Sequence, residues 1–243
     1  MDPNKRLDYH SLDYITSKGM TVDWIKKYQL FMFDFDGLLV NTEEIHYQAY
    51  QNMCAARGYK LDWSFSRYCD IAHRSAENIR NTIYEELPNL HRDEPRWEVL
   101  YAEKKLAYTH LLESGAVQMM PGAAQLLKFL AKDSISRCVV TNSVADHVAI
   151  IRKQQPVLDT IPHWITRENY TQPKPHPECY EYALHKLASP EDAVIGFEDT
   201  PRGLQALRHT KAQPVLVASK AHAYIGETAL DGVIHVESFE ELL

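Results

Sequence analysis

The chain lacks a long apolar run. No stretch approaches the ~20 residues that a membrane-spanning helix needs. The opening segment, "MDPNKRLDYHSLDYITSKGM", lacks the apolar centre of a secretory signal. Positive charge is not in excess either: Lys plus Arg number 26 against 33 Asp plus Glu, a net charge of −7. That balance argues against general binding to nucleic acid or to anionic membrane surfaces, while leaving room for a local cationic pocket. The four cysteines, Cys54, Cys69, Cys138 and Cys179, form no C-x-x-C pair and have no histidine at metal-ligand spacing. They read as scattered reduced thiols rather than a zinc site or a disulfide framework. Internal repeats and low-complexity segments are absent too. What remains is a chain of 243 residues, 45% hydrophobic, enough for one large or two small globular domains. The expected location is the cytoplasm.

Five segments have the short, apolar, β-rich character of strands covered on both faces. They are "LFMF" (30–33), "RCVVT" (137–141), "AVIGF" (193–197), "PVLVA" (214–218) and "GVIHV" (232–236), with a weaker sixth in "HWIT" (163–166). Helical patterns lie between them, as in "GAAQLLKFLAKD", "PECYEYALHKL" and "RGLQALRH". Strands alternating with helices imply an α/β fold with a Rossmann-like parallel sheet. About a hundred residues separate the first two strands, and that interval reads as helices. We therefore expect an N-terminal arm (1–27), an α/β core domain (28–41 and 119–243) and an inserted helical cap domain (42–118). Within the cap, Lys104 and Lys105 read as a solvated helix face.

The chemistry concentrates where strands end. "FDFDG" puts Asp34 and Asp36 at the carboxyl end of the first strand, the place where open α/β sheets bind ligands. "VVTNS" adds the Thr141 hydroxyl and backbone N–H groups near Asn142, and "GFEDT" adds Glu198 and Asp199. In "QPKPHPE", Lys174 is held between two prolines that stiffen its backbone. Clustered carboxylates call for a cation, and oxygen-only ligands point to Mg²⁺. Mg²⁺, a lysine and hydroxyl and N–H donors together suit a phosphoryl group. A carboxylate there can attack phosphorus to form an acyl phosphate, while a second acid moves the proton.

These four elements, D-x-D-G-L-L, T-N-S, P-K-P-x-P and G-F-E-D-T-x-x-G, cover residues 30–218 in order. The chain resembles the haloacid dehalogenase-like superfamily of aspartate-nucleophile phosphotransferases. Its insertion is similar to the cap of subgroup I, which includes β-phosphoglucomutase and phosphoglycolate phosphatase. The resemblance implies that Asp34 is nucleophile and Mg²⁺ ligand. It implies that Asp36 is general acid/base, with its backbone carbonyl on the metal. It makes Asp199 the remaining metal carboxylate, with Glu198 beside it either as a further ligand or in a supporting role. By the same resemblance Thr141, Asn142 and Lys174 are expected to bind phosphate, and Gly37 to let the chain turn beneath it. His46, twelve residues after Asp34, matches a cap histidine, and Arg74 falls in the segment that carries cap specificity. The family often closes the helix after its fourth motif with Ala-Gly. Thr210-Lys211 stand there instead, so a strained or different helix end is expected.

The implied activity is Mg²⁺-dependent hydrolysis of a small phosphorylated metabolite, sugar phosphate-like, through an aspartyl phosphate. The alternative is a sugar phosphomutase of the β-phosphoglucomutase type. A haloalkanoate dehalogenase has no need of Asp36, and a silent binding protein has no need of so many clustered carboxylates. The sequence carries no signal for monomer or dimer.

Overall fold

The computed structural model describes residues 22–72, 76–115, 117–220, 225–226 and 228–243. Most of the expected arm, with Tyr9 and Tyr14, lies outside the described residues. Its last part is a 3₁₀ turn, Val22–Lys27, that packs on the body. There Trp24 and Ile25 are buried, and the Trp24 indole donates to the Leu242 carbonyl at 3.2 Å.

Six strands form one parallel sheet: β1 (Leu30–Phe33), β2 (Ser136–Val140), β3 (His163–Ile165), β4 (Val194–Glu198), β5 (Gln213–Val217) and β6 (Ile234–Val236). The order is β3-β2-β1-β4-β5-β6. Leu30 pairs with Ser136 on one side and with Val194 on the other. The chain thus builds outward from β1 in one direction, then returns to its other side, which makes β1 the switch point where ligands bind. Both faces of β1 are covered. Phe31 and Phe33 enter one apolar cluster, where the Phe33 and Phe197 rings stack at 4.9 Å. Leu30 and Met32 enter another with Tyr180 and Leu207. This alternation explains why the strand reads as an unbroken apolar run. Phe35 continues the first face, edge-on to Trp164 at 5.3 Å.

Between β1 and β2 the chain forms α1 (Glu43–Ala56), α2 (Phe65–Ala72), α3 (Ala76–Glu86), α4 (Pro88–Asp93) and α5 (Trp97–Glu113), then α6 (Ala123–Lys132) beside the sheet. The later helices are α7 (Ala145–Gln154), α8 (Glu178–Leu187) and α9 (Pro201–Arg208). The insertion has its own apolar centre, including Met53, Cys54, Trp63, Ile83 and Leu100. Its two stems lie side by side: Asn41 N–H donates to the Gln118 carbonyl at 2.8 Å, and Met120 N–H to Leu39 at 2.9 Å. Helices α1 and α5 serve both centres, because Ile45, Ala49, Tyr108 and Leu112 pack with the sheet cluster instead.

Two sequence expectations change here. Lys104 is not solvated; it is 4% exposed, on the buried stripe Leu100–Lys104–Tyr108–Leu112 whose i, i+4 spacing gives α5 one inward face. The end of α9 differs from the family pattern without strain. His209 caps it at φ −80°, with no left-handed residue. The Thr210 hydroxyl donates to Leu207 at 2.8 Å, and Lys211 Nζ donates to the carbonyls of Ser189, Pro190 and Asp192. The hydroxyl satisfies one of the last carbonyls of α9, and the ammonium ties the helix end to the loop before β4.

Candidate active site

Asp34 extends β1 by one ladder bond, from its N–H to the Phe197 carbonyl at 3.0 Å. The chain then turns at once: Leu39 N–H returns to Phe35 at 2.9 Å and Gly37 N–H to Val40 at 2.9 Å. Gly37 adopts φ +78°, and a Cβ there would lie 2.3 Å from Asp199 Oδ2. Only glycine permits both the left-handed turn and that approach.

On the neighbouring strand, Glu198 ends β4 and Thr200 caps α9, its hydroxyl accepting from Gly203 N–H at 3.2 Å, with Pro201 opening the helix. A Cβ on Gly203 would lie 1.9 Å from Glu198 Oε2. The absence of a side chain in the first turn of α9 is thus what lets Glu198 sit inward.

Lys174 joins these acids. Its ammonium donates to Asp34 Oδ1 at 2.5 Å and to the Val140 carbonyl at 2.8 Å, and lies 2.7 Å from Glu198 Oε1. These three partners match its three N–H bonds. Tyr180 contributes a hydroxyl to Glu198 Oε1 and a ring 4.9 Å from the ammonium. The Lys174 backbone is tied to the next strand end, its N–H donating to Asn142 Oδ1 at 3.3 Å. That amide oxygen also accepts from Tyr170 at 2.7 Å. Asn142 therefore anchors the lysine loop with its side chain.

Asp34, Glu198 and Asp199 are all buried, and each offers a carboxylate oxygen within 4.8 Å of the others. Burial raises Asp34 to about 7 against the pull of Lys174, with Glu198 and Asp36 adding to the rise. Burial, then Asp34 and Glu198, push Asp199 well up. Burial opposes the Lys174 charge, but Asp34 and Glu198 outweigh it and raise that group. Three mutually repelling carboxylates, two of them bonded to one ammonium, fit a hard divalent cation such as Mg²⁺. Glu198, for which either a ligand or a supporting role was expected, belongs to this oxygen cluster.

Asp36 points elsewhere. Its carboxylate accepts from Thr42 Oγ1 at 2.8 Å, from Ser143 Oγ at 2.6 Å and from Thr141 Oγ1 at 3.3 Å. Thr141 also accepts from Ser143 N–H at 2.9 Å. Thr42 and Ser143 were not singled out in the sequence, although Ser143 lies inside the "TNS" triplet.

From the insertion, His46 stacks on Tyr108 at 3.9 Å with the planes 4° apart. Its Nδ1 lies 2.7 Å from Lys104 Nζ. Burial, reinforced by Lys104 and His147, holds the His46 imidazole far below its usual range, so it is neutral. While Lys104 is protonated it can only donate, so Nδ1 then accepts and the ring proton sits on Nε2. Tyr50 and Tyr108 place their rings 4.8 Å and 4.9 Å from Lys104 Nζ. Tyr108 and Tyr180 were not singled out in the sequence, and Lys104 was read there as solvated. Arg74 lies outside the described residues.

Known proteins supply the comparison. Protein CbbY of Rhodobacter capsulatus is 28% identical over 192 residues, covering 78% of this chain and 85% of that protein. A probable pseudouridine-5'-phosphatase of Drosophila melanogaster is 28% identical over 195 residues, covering 76% and 80%. Among solved structures, β-phosphoglucomutase from Clostridium difficile superposes with a TM-score of 0.66 at 20% identity, covering 89% of this chain and 93% of that one. It shares the fold. The family model for haloacid dehalogenase-like hydrolases matches residues 31–217, a span that runs from β1 to β5 and contains every acid of the cluster. The chain belongs to the haloacid dehalogenase-like hydrolase family.

Proposed function

We propose that the protein is a Mg²⁺-dependent phosphatase that hydrolyses a small, sugar phosphate-like metabolite through an aspartyl phosphate on Asp34. The observation that carries this reading is the convergence of Asp34, Glu198 and Asp199 around Lys174, beside a loop of hydroxyls. The relative named as a phosphatase supports it.

Asp34, Glu198 and Asp199 would hold the metal, with the Asp36 backbone carbonyl as the family resemblance implies. Bound Mg²⁺ supplies charge neutralisation for the phosphoryl oxygens. Lys174, bonded to Asp34, orients that carboxylate and offsets its charge. Asp34 Oδ attacks phosphorus in line while Asp36 gives a proton to the leaving oxygen. Asp36 then takes a proton from water, which hydrolyses the aspartyl phosphate. The Thr141 and Ser143 hydroxyls now on Asp36 sit where phosphoryl oxygens compete for them, so substrate would release Asp36 for this work. The insertion (42–118) brings His46 and Lys104 against the same side and excludes bulk water.

The test is phosphate release from p-nitrophenyl phosphate with Mg²⁺. Asp34→Asn abolishes it, and unchanged turnover in that variant removes Asp34 as nucleophile. Incubation with β-glucose 1-phosphate and a trace of the bisphosphate separates the phosphomutase. Glucose 6-phosphate without free phosphate selects that alternative.

A further inference from the structure

Helix α7 begins two residues after Ser143, so the hydroxyl loop and the helix are one continuous piece of backbone. From there α7 runs along the second half of α5, a helix of the insertion. Two polar contacts pin the two together, and a third joins the residues that follow them. His147 Nε2 lies 3.0 Å from Thr109 Oγ1. Gln154 donates to the Leu112 carbonyl at 2.7 Å, and Gln155 to Val117 at 2.8 Å. The Thr109 hydroxyl has one proton, and it goes to the Lys105 carbonyl at 3.0 Å. His147 is therefore the donor in its contact, through Nε2–H.

His147 differs from the two glutamines in what stands next to it. Its ring meets the edge of Tyr108 at 5.1 Å and 70°. The opposite neighbour of Tyr108 is the His46 imidazole, stacked at 3.9 Å. The Tyr108 hydroxyl is buried beside Thr42 and Asp36. No bond of good geometry fixes its oxygen, so its place follows from how the ring is packed. On the sheet side that ring packs in the sheet cluster and meets His147.

We propose that His147 is a positioning residue: by gripping Thr109 and the edge of Tyr108, it ties the phosphate loop to the Tyr108 hydroxyl beside Asp36 and to the His46 imidazole. The proposal rests on the phosphatase reading. The hydroxyl loop, α7, His147, α5 and the acid/base side then move together, so that a phosphoryl group seated at Thr141 and Ser143 finds Asp36 and His46 in register.

The experiment uses the full chain, Mg²⁺ and p-nitrophenyl phosphate. Absence of phosphate release by the unaltered protein overturns the phosphatase reading, before His147 is touched. Given turnover, His147→Ala lowers kcat about tenfold or more, because small misplacements of reacting groups are costly. KM stays within about twofold, since the groups that seat the phosphoryl are untouched. Thr109→Val, which keeps the shape and removes the acceptor, reproduces the defect even where His147→Ala folds poorly. His147→Gln returns an N–H near the Nε2 position and recovers most of kcat. Gln154→Ala loosens the same seam away from Tyr108 and lowers Tm with kcat intact. Full kcat in His147→Ala or Thr109→Val overturns the inference. So does a Gln154→Ala variant that loses as much kcat as His147→Ala, because the seam would then matter only as packing.

Discussion

Replacing Lys104 by methionine separates what the residue does for the site from what it does to the fold. The ammonium is buried, 2.7 Å from His46 Nδ1 and within 5 Å of two tyrosine rings. Burial lowers it from 10.5 to about 7, although Glu43 and Asp36 pull the other way. Between those values the unfolded chain binds a proton that the folded one does not. Stability is therefore complete above about 10.5 and declines as the pH falls toward 7. At about 1.4 kcal/mol per unit, the cost reaches about 4–5 kcal/mol at pH 6 and about 2 kcal/mol at pH 9. Methionine keeps the volume of the stem and removes this cost. It also leaves His46 Nδ1 without a partner, about 1–3 kcal/mol; the ring contacts belong to the charged form and are already contained in its pKa. The variant is thus expected to be more stable than the parent at pH 6 by about 2–3 kcal/mol and about equal to it at pH 9. Thermal melts without Mg²⁺ should show the Tm difference moving by about 5–10 °C between these pH values. A difference that does not change with pH would refute the buried-lysine argument, whatever its sign. Turnover should fall at both pH values, because His46 loses the group that fixes its ring.

Gly203→Ala places a methyl group 1.9 Å from Glu198 Oε2, so Glu198 must leave the cluster or α9 must shift. Phosphate release is expected to drop on the order of 100-fold, as for a misplaced reacting group, with weaker Mg²⁺ binding by calorimetry; normal values in both assays would show that Glu198 is dispensable there. Mg²⁺ itself should raise Tm, by about 2.7 kcal/mol of stability at a hundred times its Kd, because it relieves the repulsion among Asp34, Glu198 and Asp199. Asp199→Asn should blunt that shift, and an equal shift in the variant would place the ion elsewhere.

The sheet was legible because each strand is covered on both faces, and an apolar run of that length has few other uses. All six strands fall on the segments named for them, including the weak "HWIT". The short helices α2 and α4 were not anticipated, and neither was α7, whose "ADHVAIIRKQ" runs four apolar residues together and buries only Val148 and Ile151. Motif spacing named residues that the fold brings together: Asp34, Thr141, Glu198 and Asp199 from strand ends, and Lys174 from its loop. It did not identify Tyr108, Lys104 or Tyr180, which arrive from helices far along the chain. A lysine on a helix looks solvated in sequence unless its i±4 neighbours are weighed, and Lys104 has Leu100 and Tyr108 at those positions. The hydroxyls around Asp36 were hidden for a similar reason. Thr42 follows the turn and Ser143 sits on another strand end, and only the fold brings them to one carboxylate.

Two acids separated by a single residue enter different surroundings, and the turn between them is the cause. Asp34 still belongs to β1, so its side chain stays among the strand ends and meets Lys174, Glu198 and Asp199. Asp36 lies past Phe35, whose ring is fixed in the sheet cluster, at the start of a turn that Gly37 completes at φ +78°. That turn swings the second carboxylate out of the cation-seeking cluster and into the Thr42, Thr141 and Ser143 hydroxyls. Under the proposed mechanism the separation is necessary. A nucleophile must stay ionised, which an ammonium and a metal favour; a proton carrier must be able to take up its proton, which a tight cation would oppose. Hydroxyls suit the second role because each can donate to a carboxylate and, after rotation, accept from a carboxylic acid. Like charges that repel in one cluster are tolerated here because the backbone deals them to two sites with opposite requirements.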